Sequence, residues 1–151
     1  MHFINKEMPC WIFVTSEKNW KVIRDKKVWG MPLKRENLIK KLKVGDEAFI
    51  YLKQEKKGDE ILPSRIVGLF EIASEPFKSS EQIFKDRSYP WRVKLKPKIV
   101  LKDEYLEFKP LLPKLKFTKG AKGWAAYFRS GMAQIPEEDF KTLEKELRKL
   151  A

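Results

Sequence analysis

Residues 60–74 read EILPSRIVGLFEIAS and combine a long apolar run with one glycine, at position 68. Aliphatic and aromatic side chains in such a run are typical of a β-strand. Gly68 lies in the middle of it and predicts a bulge or a sharp bend, because glycine marks points where a strand kinks or another chain comes close. We therefore expect this segment to lie in a strongly curved sheet.

Two neighbouring segments predict further strands. Residues 47–52 (EAFIYL) form an almost continuous apolar run, which favours a strand buried on both faces. Residues 91–96 (WRVKLK) alternate apolar and basic side chains, which is typical of a strand with one face in the core and one in solvent. Residues 56–59 form a polar turn before 60–74, whereas residues 76–90 are polar and irregular.

The N-terminal third predicts one strand and two helices. Residues 11–15 form a short apolar run, and Ser16 is placed to cap a helix over residues 17–26. A second helix is expected over residues 34–43, where apolar side chains repeat on one face.

The C-terminal part is interrupted by Pro97, Pro110 and Pro113. Residues 124–129 are an aromatic-rich strand candidate. A final helix is predicted with Pro136 as its first residue and acidic side chains in its first turn, where they complement the helix dipole. Its inward face is Phe140, Leu143 and Leu147.

Together these segments predict an α+β protein. Five or six strands are broken by short helices without regular βαβ alternation, which favours a small bent barrel braced by the C-terminal helix. No internal repeat or Gly/Ser linker divides the 151 residues, so we expect a single domain over 1–151.

The charge balance is strongly basic. Lys and Arg number 33 against 21 Asp and Glu, a formal net charge of +12, which favours polyanionic partners such as nucleic acid. A charged fraction of 36% also fits a thermophile protein, in which surface ion pairs accumulate.

Cysteine and histidine are nearly absent. The chain has one Cys, Cys10, and one His, His2, so neither an internal disulfide nor a Cys/His zinc site can form, and we predict no metal and no cofactor. A packed Cys10 thiol is favoured over a Cys–His nucleophilic pair. The opening residues do not resemble a signal peptide, and no segment approaches the ~18 apolar residues needed to cross a bilayer, so a cytoplasmic protein is expected.

Common catalytic signatures are missing from the sequence. It contains no Walker loop, GxGxxG, GxSxG or HExxH motif, and apart from His2 it has no histidine to act as general base. Glu137 and Glu138 lie at a helix start and are interpreted as dipole-complementing charges. These absences favour binding over catalysis.

Trp29 is the most informative single residue. It follows the first predicted helix and precedes Gly30 and a Met-Pro pair, so less structure is expected to cover it than a mid-strand tryptophan. It is interpreted as the wall of a pocket. The alternative is that it closes one end of the barrel.

Six blocks of sequence carry a family resemblance: WIFVTSEKNW, VWGM, KVGDEAFIYL, RIVGLFEIASEPF, YPWRVKLKP and WAAYFRSGM, followed by an IPEEDF helix. Their order and spacing resemble the EVE domain of the PUA-like superfamily. The likeness spans residues 11–147, and the ordered set carries it more than any one block. It implies a small, bent β-barrel with short helices.

EVE domains are similar to YTH domains, which hold a methylated RNA base in an aromatic cage, so the resemblance implies a reader of modified bases in RNA or DNA. Asn19 and Trp29 keep the ten-residue separation of a base-contacting Asn and a cage Trp. In this reading Trp29, beside Gly30, stacks on the base, and Asn19 bonds its edge. Thr15 adds a hydroxyl, and Phe84 replaces a second cage tryptophan.

Other residues complete the expected site. Trp91 lines either the pocket or the core, and the core is favoured. Phosphate contacts are expected from basic residues around the pocket mouth, which would make binding depend on salt. They are Lys34, Arg35, Lys119, Lys122 and Arg129.

Two alternative functions remain open. ASCH-type PUA-like domains include hydrolases of modified nucleosides that use Lys, Thr and Glu, and Thr15, Lys21 and Glu71 offer those residue types although the GxKxxExR motif is missing. The other alternative is a protein-interaction module. Its expected contact surface is an exposed apolar patch at Leu111, Leu112 and Leu115.

Overall fold

The chain is built around one curved sheet in a computed structural model that describes residues 10–118, 126 and 128–151. The strands of this part of the chain are β1 (Cys10–Thr15), β2 (Val28–Met31), β3 (Glu47–Leu52), β4 (Glu55–Lys57), β5 (Glu60–Leu62), β6 (Arg65–Ile72), β7 (Phe77–Lys78), β8 (Trp91–Val100), β9 (Leu106–Glu107) and β10 (Met132–Ile135). The α-helices are α1 (Glu17–Lys26), α2 (Glu36–Ile39) and α3 (Glu137–Arg148), and 3-10 helices span Leu33–Arg35 and Lys109–Lys114.

The sheet has eight strands, and six of them follow the spatial order β10-β1-β3-β6-β8-β2. Strand β7 pairs with β8 and β9 pairs with β6, whereas β4 and β5 form a separate hairpin. All neighbours run antiparallel except β1 and β3, which are parallel. Strand β1 therefore lies between β3 and the C-terminal strand β10.

Each face of the sheet carries its own core. Side chains alternate along a strand, so Trp11 and Phe13 of β1 belong to one cluster, with Trp20 of α1, whereas Cys10 and Ile12 belong to the other. Helix α3 covers the second face and buries its predicted apolar side chains there. These are Phe140, Leu143 and Leu147. Strand β3 is buried between the two clusters, so the predicted burial of residues 47–52 on both faces is confirmed.

The bulge predicted around Gly68 is present. Ile50 of β3 lies opposite Gly68 and the next residue of β3 lies opposite Ile66, so Val67 is left over. A Cβ on Gly68 would lie 3.0 Å from the carbonyl oxygen of Ile99 and 3.2 Å from the Trp20 ring. The glycine lets β6 pass this close to β8 and α1, and the sheet bends here.

The predicted strand over residues 60–74 is wrong as one element, because it is divided into β5 and β6. Pro63 lies at the break and has no N–H for a strand ladder. The predicted strand over 91–96 runs further, as β8, through Pro97 to Val100. Pro97 is tolerated because it lies beside a register shift between β6 and β8.

The predicted helix over residues 34–43 is wrong. The chain forms a 3-10 turn and then only the four-residue α2, and neither has a side-chain cap such as the one that Ser16 gives α1. Ser16 caps α1 as predicted, and its side chain accepts a hydrogen bond from the backbone N–H of Asn19 at 3.3 Å. Trp29, expected after a helix exit, lies within β2.

Two C-terminal predictions also need revision. Pro136 is the cap of α3 and not its first residue, since its ψ of 153° is extended. Of the strand predicted over 124–129, only Ala126, Phe128 and Arg129 are described, and none of the three lies in a strand. Within the described part of the chain, no helix is both long and apolar enough to span a membrane.

Candidate functional site

A cavity of about 200 Å³ opens where β1, α1, β2 and the irregular segment before β8 meet. This volume is below the roughly 300–1,000 Å³ of pockets for drug-sized ligands and well above the ~30 Å³ of one water, so it suits a small ring. The structure brings eight of the predicted site residues to this one cavity. They are Thr15, Asn19, Trp29, Gly30, Lys34, Arg35, Phe84 and Arg129.

Trp29 forms one wall of the cavity. Strand β2 holds it, and its indole stacks on Phe13 with ring centroids 4.6 Å apart and planes inclined by 22°. Phe13 belongs to the core and supports the indole from behind. Trp29 is only 3% exposed, yet its Nε1 has no hydrogen-bond partner among the residues described. An indole N–H is a donor only, so this wall residue carries one buried donor that is unused in the described structure.

Asn19 supplies the complementary group. Its position in the first turn of α1 is fixed by the Ser16 cap, and its side chain is 4% exposed. The amide Nδ2 donates a hydrogen bond to Oδ2 of Asp86 at 3.3 Å, whereas Oδ1 is buried and finds no partner within the described structure. Two residues of the cavity lining, Trp29 and Asn19, therefore carry a buried donor and a buried acceptor that are unused in the described structure.

Phe84 and Tyr89 form another part of the lining and contact each other edge to face, with ring centroids 5.0 Å apart. Both pack on the backbone of Gly30. A Cβ at that position would lie 2.8 Å from Phe84 Cε2 and 2.8 Å from Tyr89 Cβ, so only glycine permits the approach. Burial, reinforced by the charge of Asp86, raises the pKa of Tyr89, which is therefore a neutral hydrogen-bond donor near neutral pH.

Arg92 of β8 holds this wall in place although it does not line the cavity. Its guanidinium is 4% exposed and donates from Nε to the carbonyl of Tyr89 at 2.9 Å and from a terminal nitrogen to the carbonyl of Glu81. It also lies 6.0 Å from the centre of the Phe84 ring. One buried arginine thus ties down a segment that has no regular secondary structure.

The cavity lining is strongly cationic. It contains five basic residues and one acidic residue, Asp86. The basic ones are Lys34, Arg35, Lys53, Arg87 and Arg129. Lys119 and Lys122, the other two predicted phosphate contacts, lie outside the described residues. The lining can thus hold a flat polar ring inside and an anion at its mouth.

A model of the EVE domain family matches residues 9–146. This chain belongs to the EVE domain family. A UPF0310 protein of Pyrococcus abyssi is 44% identical over 142 residues, which cover 91% of this chain and 98% of that protein.

Two solved structures share the architecture of this EVE domain. Human THYN1 protein, in complex with DNA containing 5-methylcytosine, has a TM-score of 0.61 at 17% identity over 91% of this chain and 97% of that one. The YTH domain-containing protein mmi1, in complex with RNA, has a TM-score of 0.59 at 11% identity over 92% and 80%. These likenesses establish the fold, and the predicted α+β, PUA-like class is confirmed.

Trp91, the remaining predicted pocket residue, is not among the residues that line the cavity of this EVE domain. It begins β8 opposite Met31 and belongs to the core cluster, which the sequence favoured. Lys40 and Lys78 lie 5.1 and 5.3 Å from its ring centre. Its place in the pocket is therefore corrected to a place in the core.

The hydrolase alternative requires Thr15, Lys21 and Glu71 to meet, and the structure does not bring them together. Thr15 lines the cavity, but Lys21 lines a different groove, beside α1 and the β4–β5 hairpin. Glu71 lies in β6, opposite Glu47 and Lys96. Among the described residues, no group of three or more His, Cys, Asp or Glu side chains is placed to hold a metal ion.

The predicted apolar interaction surface is also wrong. Leu111, Leu112 and Leu115 are buried in the core beneath the second face of the sheet. Cys10 belongs to the same cluster, and burial, followed by the charge of Glu47, raises its pKa to about 12. The prediction of a packed thiol is confirmed.

Sequence reasoning missed Asp86, Arg87, Tyr89 and Arg92. The first three lie in a segment that was described only as polar and irregular, and Arg92 was interpreted as a solvent-facing residue of an alternating strand. A cluster of aromatic and charged side chains around Phe84 was the available signal. Loops with that composition often carry binding residues on a rigid scaffold.

Proposed function

We propose that this EVE domain is a non-enzymatic nucleic-acid reader that holds one modified base, of a methylated kind, in the cavity between Asn19 and Trp29. One observation supports the proposal: Trp29 and Asn19, which line the same small cavity, carry a buried donor and a buried acceptor that have no partners in the described structure. An unsatisfied buried polar group costs about 1–3 kcal/mol. A ligand that pairs with both atoms removes that cost.

A nucleobase has the properties that the cavity requires. Its flat ring stacks on the indole of Trp29, and its edge carries hydrogen-bond donors and acceptors for Asn19 Oδ1 and Trp29 Nε1. A methyl group on a base fills apolar space, and a partly positive methylated edge is attracted to the faces of aromatic rings. Phe84 and Tyr89, which line the cavity, supply aromatic rings for this contact.

The basic lining supports a nucleic-acid strand over a free base. Lys34, Arg35 and Arg129 line the cavity and are not ion-paired within the described residues. Phosphates beside the captured base would pair with them and release counterions. The complexes of human THYN1 with 5-methylcytosine DNA and of the mmi1 YTH domain with RNA support the same class of partner.

The test compares oligonucleotides that differ in one base. DNA and RNA strands carrying methylated cytosine, methylated adenine or the unmodified base are titrated against the protein, and binding is followed by the polarisation of a label on the strand. We expect one modified strand to bind more tightly than its unmodified match. Equal affinity for every matched pair would exclude a modified-base reader.

Two tryptophan variants locate the effect. Trp29→Phe keeps an aromatic face and removes the Nε1 donor, so we expect it to lose about tenfold in affinity for the preferred strand, equivalent to about 1.4 kcal/mol. Trp91→Phe is the matched control, because Trp91 also buries an Nε1 without a partner in the described structure but belongs to the core. It should bind like the unaltered protein.

A further inference from the structure

A second cavity adjoins the first. It has a volume of about 360 Å³, and Val14, Lys53 and Arg129 line both cavities. The two spaces thus have one wall in common. A chain-like ligand with one unit in the first cavity can follow this wall into the second.

Two aromatic side chains belong to the lining of the second cavity. Tyr51 and Phe128 contribute to it, and their ring centroids are 4.6 Å apart. Phe108 packs against the Tyr51 edge from the core, at 5.1 Å, and fixes this pair. Burial raises the pKa of Tyr51 to about 12, so the phenol is neutral. Tyr51 is 4% and Phe128 7% exposed, and the exposed part of these rings can contact an adjacent base whatever its identity, because base–aromatic contacts tolerate sequence.

The mouth of the second cavity is cationic. Lys53, Lys109 and Arg129 line it and are exposed, and in the described part of the chain none of them has an acidic partner. Other lysines of this protein are paired, for example Lys57 with Glu17 at 3.2 Å. Unpaired cations above an aromatic pocket complement a unit that combines a flat ring with a phosphate.

We propose that the second cavity binds the nucleotide next to the captured base on the same strand. The inference rests on the proposed function and extends it from a single base to a two-nucleotide unit. The adjacent base would occupy the space beside Tyr51 and Phe128. The phosphate between the two nucleotides would lie near Lys53 and Arg129, which belong to both cavities.

The first experiment requires no protein variant. Strands carrying the preferred modified base are prepared with an abasic site directly on its 5′ side, directly on its 3′ side, or three positions away. We expect the abasic site on one adjacent side to reduce affinity about 5- to 100-fold, as expected for the loss of one stacked base. The distant abasic site should have no effect.

Protein variants then assign the loss to the second cavity. Phe128→Leu removes the aromatic face and should bind the intact strand and the sensitive abasic strand with nearly equal affinity. Phe117→Leu is its control, since Phe117 packs 6.1 Å from Phe128 in the same core cluster but does not line the second cavity. If Phe128→Leu does not fold, Lys109→Gln tests the mouth, with the exposed Lys102→Gln as control.

The outcomes separate the two proposals. If the preference for a modified base persists but neither adjacent abasic site weakens binding, the second cavity is not a nucleotide site and the reader function still stands. If the modified and unmodified strands bind equally, the proposed function fails and the inference fails with it. If the adjacent abasic site reduces the affinity of Phe128→Leu as strongly as it reduces that of the unaltered protein, the adjacent nucleotide binds elsewhere.

Discussion

Asn19 Nδ2 donates a hydrogen bond to Asp86 Oδ2 across 67 residues of sequence, at 3.3 Å. This bond decides which way the amide points, and it leaves Oδ1 as the buried acceptor of the cavity. Tyr89 donates from its hydroxyl to the same Asp86 oxygen at 3.2 Å. One carboxylate therefore orients the polar groups of two residues that line the cavity.

Replacing Asp86 should reduce the discrimination between strands while it increases the affinity for unmodified strands. In Asp86→Ala the Asn19 amide is free to rotate, so we expect discrimination between modified and unmodified strands to fall about 5- to 10-fold, equivalent to about 1 kcal/mol. Binding of unmodified strands at low salt should rise, because the only acidic residue of the described lining is gone. Titrations of both strands at two salt concentrations measure the two effects. A parallel fall for both strands would contradict the orienting role.

Gly30→Ala should displace one wall of the cavity. The added Cβ collides with Phe84 and Tyr89 at 2.8 Å, so we expect a loss of about 1–3 kcal/mol in the free energy of unfolding, as for overpacked cores. Affinity for the preferred strand should fall with it. Chemical denaturation and titration report the two quantities. An unchanged affinity would mean that Phe84 and Tyr89 do not touch the bound base.

Arg92→Leu should release the segment before β8. Two buried hydrogen bonds from a charged donor are lost, and hydrogen bonds of this kind contribute about 1.5–3 kcal/mol each, so unfolding should become easier by several kcal/mol. Hydrogen exchange should accelerate over residues 81–89. Lys94→Leu is the comparison, since Lys94 is an exposed residue of the same strand. Equal hydrogen-exchange rates in Arg92→Leu and Lys94→Leu would mean that Arg92 does not hold this segment in place.

The salt dependence of binding should change in proportion to the number of cations removed. Lys34→Gln, Arg35→Gln and Arg129→Gln are each expected to reduce the slope of log K against log salt by about 0.7 on a single strand. Lys141→Gln is the control, because Lys141 lies on α3 and pairs with Glu137 at 3.6 Å. If all four variants keep the slope of the unaltered protein, the phosphates lie elsewhere.

The Cys10 thiol should not react with thiol reagents in the native protein. It is 1% exposed and its pKa is raised from 9.0 to about 12, so a thiol reagent at neutral pH should react only after unfolding. The raised pKa of Cys10 also determines how the free energy of unfolding changes with pH. Between pH about 9 and about 12 the unfolded thiol is deprotonated while the folded one is not, so stability falls as pH rises. Cys10→Ala should show a shallower fall in alkaline denaturation curves, and an equal fall would assign the effect to other groups.

The fold was accessible from the sequence because its main signals are local. The apolar run at residues 47–52 predicts β3 whatever it pairs with, and Gly68 identifies the bend without knowledge of Trp20 or Ile99. Errors arose where a local pattern was overridden. Residues 34–43 have a helical pattern, yet only the four residues of α2 form an α-helix, and no side chain caps its start as Ser16 caps α1.

The site was only partly accessible. Asn19 and Trp29 were placed together through a family resemblance and not through their spacing alone. Asp86 and Arg92 were missed because their partners are distant in sequence or are backbone carbonyls, which no side-chain pattern reveals. Leu111 and Leu115 were misplaced for the opposite reason, since an apolar run between prolines has the same composition whether it is covered or exposed.

The parallel pairing of β1 with β3, with β10 on the other edge of β1, has a consequence for synthesis of the chain. The backbone N–H of Val14 donates to the carbonyl of Gly131 at 2.8 Å, and both residues line the cavity. The pocket lining thus includes Val14 and Gly131, which are far apart in the sequence. Contacts this far apart in sequence form late in folding. A nascent chain that still lacks residues 129–131 therefore has an incomplete pocket.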